Sequence, residues 1–295
     1  MAYGIRLAFV TALISGISIF ASKIFVSTMD PLLFTTLKNL LVAIILTIGL
    51  AGSPIKQQCG HLTLKQWKHL ALIGLIGGGI PFALFFTGLT MTSAVQGSII
   101  HKTLFIWVAI MAYWLLKEKL NRWQVAGYGV VTFGALWIAN FKNLTFGRGE
   151  LMILAATLLW SVEHIVAKKA LTDIPSEIVA WARMTFGVVL LIAILAIQGK
   201  AGAMLTLNGT QITAVLIGGG MLTVYVLTWY KALSKAPATM VSLVLASSPV
   251  ITSLLSAVFI TKTVPTMPDI LTMIALTGGV ILATRYTNQQ KLITV

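Results

Sequence analysis

Ten stretches of about 20 mostly apolar residues follow one another along this chain, separated by short polar links. A helix of that length rises about 30 Å, the thickness of a bilayer's hydrocarbon core. They run at about Gly4–Val26, Pro31–Leu50, Lys68–Gly88, Thr92–Leu116, Arg122–Phe141, Glu150–Leu171, Ser176–Gln198, Thr210–Tyr230, Ala238–Ile260 and Asp269–Arg285. Inside lipid every backbone N–H and C=O must be satisfied within the protein, and a helix does this by itself. Pro31, Pro175 and Pro268 fall at predicted helix starts, where a missing N–H costs little. The expected fold is therefore an all-α membrane protein of ten transmembrane helices. No segment between the runs is long enough for a soluble domain.

Charge fits this reading. Only 9% of residues are charged, where a soluble domain carries about a quarter. A net charge of +14 in a soluble protein would point to nucleic acid. Here the basic residues sit mainly between the apolar runs, so they are read as topogenic loop charge and no nucleic-acid partner is expected. With ten spans, one side holds Arg6, Lys56, Lys65, Lys68, Lys117, Lys119, Arg122, Lys168, Lys169, Lys231, Lys235, Arg285 and Lys291. The other holds Lys23, Lys142, Arg148, Lys200 and Lys262. The richer side is expected to be cytoplasmic, with both termini on it, in a bacterial inner membrane. Arg6 before an apolar run resembles a signal peptide, but no Ala-x-Ala site follows, and the segment is read as an uncleaved first helix. The single cysteine, Cys59, rules out an internal disulfide and a thiolate metal site.

The chain also repeats itself. Displaced by 145 positions, Ser18–Lys23 falls over Glu163–Lys168 and Lys38 over Arg183. A displacement of 144 lays Ala94–Ser98 over Ala238–Ser242 and Gly134 over Gly278, and one of 141 lays Gly77–Gly79 over Gly218–Gly220. The units are taken as residues 1–145 and 146–295, five helices each. An odd number of spans per unit makes the two face opposite ways, an architecture of secondary transporters with the site where the repeats meet near the midplane.

These motifs resemble those of the drug/metabolite transporter superfamily, in particular its ten-helix EamA-type members. In that family each half opens with a short Trp-Gly-like motif, here Ser15-Gly16 and Trp160-Ser161. A basic residue follows early in the second helix, here Lys38 and Arg183. The fourth helix ends in Glu-(Lys/Arg)-Leu, here Glu118-Lys119-Leu120, which the second half replaces with Lys262-Thr263-Val264. The family's fourth-helix proline is Pro249 in the second half, while the first half has Phe105. The resemblance implies alternating-access export of amino acids or related metabolites, and possible drug-like compounds, by a monomer or homodimer.

Ionisable groups inside spans are costly and carry the chemistry. Lys102 lies about ten residues into the fourth run, about 15 Å deep, and reads either as a cavity cation for a substrate's carboxylate or phosphate or as a structural ion pair. His101 beside it is a proton relay or a packed ring. Lys38 and Arg183 form a mirror pair that could receive an anion from either side, or else snorkel to lipid phosphates. Glu163, a carboxylate well inside a span, is the proton-coupling candidate, flanked by His164; its structural alternative is an ion pair with Lys102 or Arg183. Trp160 shares its helix face. Tyr225 and Trp229, four apart, offer stacking and cation–π surface, with Trp107 and Trp181 as further candidates. Trp67, Trp114, Trp123 and Tyr286 read as interfacial anchors.

No phosphate-binding Gly-x-x-x-x-Gly-Lys-Ser/Thr loop and no His-Glu-x-x-His occur, and His61, His69, His101 and His164 are dispersed. No catalytic residue, cofactor or metal is expected. The function expected is a secondary transporter for a small anionic or zwitterionic metabolite; the alternative is a lipid flippase that uses the same basic residues on headgroups.

Overall fold

A computed structural model of the chain describes residues 1–25, 29–92, 97, 100, 101, 103–137, 147–262 and 264–285, and no strand occurs among them. The first half contains α1 (Ala2–Phe25), α2 (Pro31–Ala51), the short turn α3 (Lys56–Cys59), α4 (Leu64–Ile73), a π-helical segment Gly74–Gly79, α5 (Ile80–Leu89), α6 (Leu104–Leu115) and α7 (Arg122–Trp137). The second contains α8 (Arg148–Ala170), α9 (Ser176–Ile197), α10 (Gly209–Lys235), α11 (Ala238–Leu245), α12 (Ser248–Ser256) and α13 (Met267–Arg285). Eight helical segments among the described residues are long and apolar enough to cross a membrane. Within the described residues α6, at 12 residues, and α7, at 16, are shorter.

Caps at the helix starts follow local chemistry. Asp30 caps α2 by accepting from the Leu32 and Leu33 N–H groups, and Thr63 and Asn208 form capping boxes with Gln66 and Gln211.

Two runs expected to be continuous are not. The third is interrupted by the π segment, and the ninth breaks between Leu245 and Ser248. Proline explains both. Pro81 has no N–H for the Gly77 carbonyl four residues back, and Pro249 has none for Leu245.

The main packing is between the halves, and each contact has a counterpart when the halves are exchanged. Helix α1 packs on α10 as α8 packs on α5; α1 packs on α11 and α12 as α8 packs on α6. Helix α2 packs on α10 as α9 packs on the π segment, while α2 with α9, α6 with α11, and α7 with α13 are their own counterparts. The correspondence extends to single atoms. A Cβ built on Gly16 would lie 2.7 Å from the Ser248 carbonyl, and 145 positions on, the Ser161 hydroxyl donates to the Leu104 carbonyl at 3.5 Å.

Backbones approach this closely only where side chains are absent. A Cβ on Gly127 of α7 would lie 2.5 Å from the Gly279 carbonyl of α13, and one on Gly187 of α9 2.5 Å from Gly78 Cα. Gly4 lies against Lys235 and Ala236, so the start of α1 and the end of α10 share one end of the bundle with Glu118, which bonds to Ala238. We call this the terminal end. Asp30 and Lys200, paired at 2.7 Å, lie at the opposite end.

Candidate functional site

A cavity of about 480 Å³ lies between the halves. Its walls come from α1 (Ser15, Ile19), α5 (Phe82), α8 (Trp160, Glu163, His164), α9 (Arg183), α10 (Leu222, Tyr225, Trp229) and the broken α11–α12 pair (Ser242, Ser248, Pro249, Thr252, Ser253), joined by His101, Leu104 and Phe105. Ile19 and Ser253 are exposed at the rim, whereas Glu163, at 1% exposure, His164, Arg183 and Trp229 are buried at the floor. The cavity thus opens away from the terminal end.

The floor is organised around one backbone carbonyl. Pro81 removes the helical donor for Gly77, so the Gly77 oxygen is free to accept from side chains. Arg183 Nη2 and Trp160 Nε1 both donate to it at 3.0 Å. The glycine is required: a Cβ there would lie 2.6 Å from Glu163 Cγ and 3.0 Å from Arg183 Nε. Bulges of this π type recur at functional sites because they release a backbone group from the ladder.

Glu163 is held from two sides. Tyr230 donates its hydroxyl to Oε1 at 2.6 Å, and Arg183 Nε stands 3.8 Å from the same oxygen. Of the two structural partners weighed in the sequence, Arg183 lies beside it; Lys102 falls outside the described residues. A carboxylate and a guanidinium buried together offset each other's desolvation, and removing either leaves an uncompensated charge.

Aromatic rings form the walls. Tyr225 stacks on Trp229 with centroids 6.2 Å apart and planes at 18°, and the Arg183 guanidinium lies 5.5 Å from the Trp229 ring centre. Phe82, Phe85 and His101 surround Trp160 at 5.3, 5.7 and 4.9 Å. Three buried polar atoms at the floor make no hydrogen bond among the described residues: His164 Nε2, Trp229 Nε1 and Arg183 Nε. A buried donor without an acceptor costs about 1–3 kcal/mol, so such atoms mark a place shaped for something else.

Of the residues singled out in the sequence, Arg183, Glu163, His164, Trp160, Tyr225, Trp229 and His101 all line this cavity. Lys38 does not. Its ammonium sits 5.1 Å over the Phe34 ring, and its stem lies against Gly218. Lys102 lies outside the described residues. Trp181 donates to Thr47 at 2.9 Å and packs on Trp67, and Trp107 donates to Thr103 at 2.9 Å; neither lines the cavity. The sequence reading missed Tyr230 and the Gly77 carbonyl. Pro81, four residues after the first glycine of a triple run, was the available signal for the latter. No group of three His, Cys, Asp or Glu suited to a metal occurs among the described residues.

The comparisons with known proteins agree with this architecture. The EamA-like transporter family matches twice, over residues 2–140 and 147–285. An uncharacterized transporter of Archaeoglobus fulgidus is 26% identical over 223 residues, covering 74% of each chain. The uncharacterized transporter YoaV of Bacillus subtilis is 26% identical across 81% of this chain and 82% of its own. Protein LicB of Haemophilus influenzae is 24% identical over 51% of this chain and 54% of its own. A solved crystal structure, 16% identical, superposes with a TM-score of 0.79 over 98% of this chain and 99% of its own, which establishes the shared fold. The family and the Archaeoglobus fulgidus and YoaV relatives are named transporters, not enzymes. The chain, a multi-pass integral membrane protein, belongs to the EamA-like transporter family.

Proposed function

We propose that this protein is a secondary transporter of ten spans in two inverted halves. It carries a small zwitterionic or anionic metabolite, of amino-acid type, by alternating access through the cavity described above. The observation that carries the reading is the floor: His164 Nε2 and Trp229 Nε1, buried and without a hydrogen bond among the described residues, beside the Arg183–Glu163 ion pair and stacked aromatic rings. Trp229 Nε1–H and the Arg183 guanidinium are donors suited to a carboxylate. Glu163 and the faces of Trp229 and Tyr225 suit an ammonium group. At about 480 Å³ the space suits a metabolite of this size and holds no lipid with its acyl chains.

The terminal end carries Arg6, Lys117, Lys119, Arg122, Lys168, Lys169 and Lys235, so the positive-inside rule makes it cytoplasmic and turns the cavity mouth outward. Export is the direction that the superfamily resemblance implies. Glu163 is the coupling group, a carboxyl that a substrate's charged group can reach.

The test is uptake of radiolabelled amino acids by proteoliposomes, with and without a pH gradient. Wild type should transport at least one, faster with the gradient. Glu163→Gln should lose that acceleration and keep exchange of substrate for substrate. A wild-type protein indifferent to the gradient would remove the coupling role, and one that moves no zwitterionic or anionic metabolite would remove the substrate class.

A further inference from the structure

The terminal end, opposite the cavity mouth, is shut by one corner of the second half gripped by the first. The corner is the turn between α10 and α11, residues 233–239. The Glu118 carboxylate accepts from the Ala238 N–H at 2.9 Å, the Thr239 N–H at 3.0 Å and the Thr239 hydroxyl at 2.8 Å. These are first-turn donors of α11, which have no partner within their own helix, and the residue that precedes them, Pro237, offers no capping side chain. A carboxylate there also meets the positive end of the helix dipole. Tyr128, again from the first half, donates its hydroxyl to the Thr239 carbonyl at 2.7 Å. From its own half, Lys168 closes the other side of the corner by donating to the Leu233 and Ala236 carbonyls at 2.7 and 2.8 Å.

The backbone aims Glu118 at this corner. Helix α6 ends in a left-handed residue, Lys117 at φ 57°, and the Glu118 N–H returns to the Ala112 carbonyl at 3.2 Å. The same left-handed turn occurs 145 positions later at Lys262, φ 51°. The residue that follows it is Thr263, and a threonine has one hydroxyl and no charge. Its target by repetition is Ala94-Val95, which lies outside the described residues together with Thr263. At the mouth end a different carboxylate crosses between the halves: Glu150 of α8 accepts from the Thr92 hydroxyl.

We propose that Glu118 selects the resting conformation: its carboxylate locks the α10–α11 corner across the halves and keeps the terminal end closed, so the empty transporter rests with its cavity open at the mouth. A ligand can shift such an equilibrium only by its differential affinity for the two states, so the latch sets how much binding energy substrate must supply.

This inference rests on the alternating-access reading, but its test needs no substrate. In a Cys59→Ser background, single cysteines are placed at Ser253 on the rim and at Ser242 on the floor side near the corner. They are labelled with a membrane-impermeant maleimide from each side of reconstituted vesicles. A third reporter, Thr157→Cys, fully buried in α8, reads unfolding. Adding Glu118→Gln should slow mouth-side labelling at Ser253→Cys at least threefold and open Ser242→Cys to reagent from the terminal side, with Thr157→Cys still unlabelled. Unchanged rates at both reporters in Glu118→Gln would overturn the proposal. So would a rise at all three sites, which would make Glu118 only a residue that holds the fold. A protein that transports nothing yet shows these labelling shifts would refute the transport reading and leave the latch standing.

Discussion

The two halves place a cation at the same point of the same contact, and then treat it differently. Arg183 of α9 lies against Gly77 of the first half's glycine run; Lys38 of α2 lies against Gly218 of the second half's. Arg183 has a full set of partners: the Gly77 carbonyl, Glu163 beside it and the Trp229 ring beneath it. Lys38 has the face of Phe34 and neither carboxylate nor hydrogen-bond acceptor among the described residues. The difference traces to two positions. Ser18 stands where the repeat has Glu163, and no proline follows Gly218 at four residues, where Pro81 follows Gly77. Duplication supplied the scaffold twice, and the chemistry was built on one copy.

The largest effect is expected where that asymmetry is greatest. Glu163→Ala leaves the Arg183 guanidinium buried without its counter-charge and should destabilise the protein by about 3–5 kcal/mol and abolish transport. Lys38→Met removes a cation that has no carboxylate to orphan, and should change stability by less than about 1 kcal/mol. Thermal unfolding of both variants in detergent checks the pair, and equal losses would break the comparison.

A smaller contrast is expected at the glycines. Gly77→Ala drives a methyl into Glu163 Cγ at 2.6 Å and should cost about 1–3 kcal/mol and most transport. Gly218→Ala meets only Phe34 Cζ at 3.0 Å and the Lys38 stem at 3.4 Å, both able to give way, and should retain transport. Initial uptake rates of the two variants settle it.

Trp160→Phe tests the shared carbonyl more gently. It keeps the aromatic wall and deletes one of the two donors to Gly77, for an expected loss of about 1 kcal/mol, read from the shift in unfolding temperature. A shift as large as that of Gly77→Ala would mean that the Trp160 bond, and not the space at Gly77, holds the π segment.

The smallest effect belongs to the exposed ion pair at the mouth end. Partial burial pushes the Asp30 carboxyl up, but Lys200 and the N–H groups of Leu33 and Leu32 outweigh it and hold the group below its usual 3.8. A carboxylate with a depressed pKa contributes stability at higher pH and loses it as pH falls through its folded value. With 35% of Asp30 and 48% of Lys200 exposed, solvent screens the pair, and the contribution is under about 1 kcal/mol. Unfolding temperatures measured from pH 7 down to pH 3 should therefore fall slightly less for Asp30→Asn than for wild type.

Much of this molecule was legible in its sequence. Apolar runs of membrane length determined the helices, prolines marked several starts, and internal similarity paired Lys38 with Arg183 and one glycine run with the other. Scarcity of ionisable groups inside the runs drew attention to Glu163, His164 and Arg183, because lipid tolerates such groups only where they are paired or functional. The periodicity that identifies a buried face in water was silent here. Lipid-facing and protein-facing surfaces are both apolar, so pattern alone could not say that Trp181 turns to Thr47 while Trp160 turns to the cavity. The remaining decisions belonged to tertiary structure. Tyr230 reaches a carboxylate 67 positions away, Arg183 a carbonyl 106 away, and Glu118 a helix start 120 away. Such pairings depend on how helices cross, and local sequence holds no record of the angle; only the packed halves decide which orphaned donor meets which acceptor.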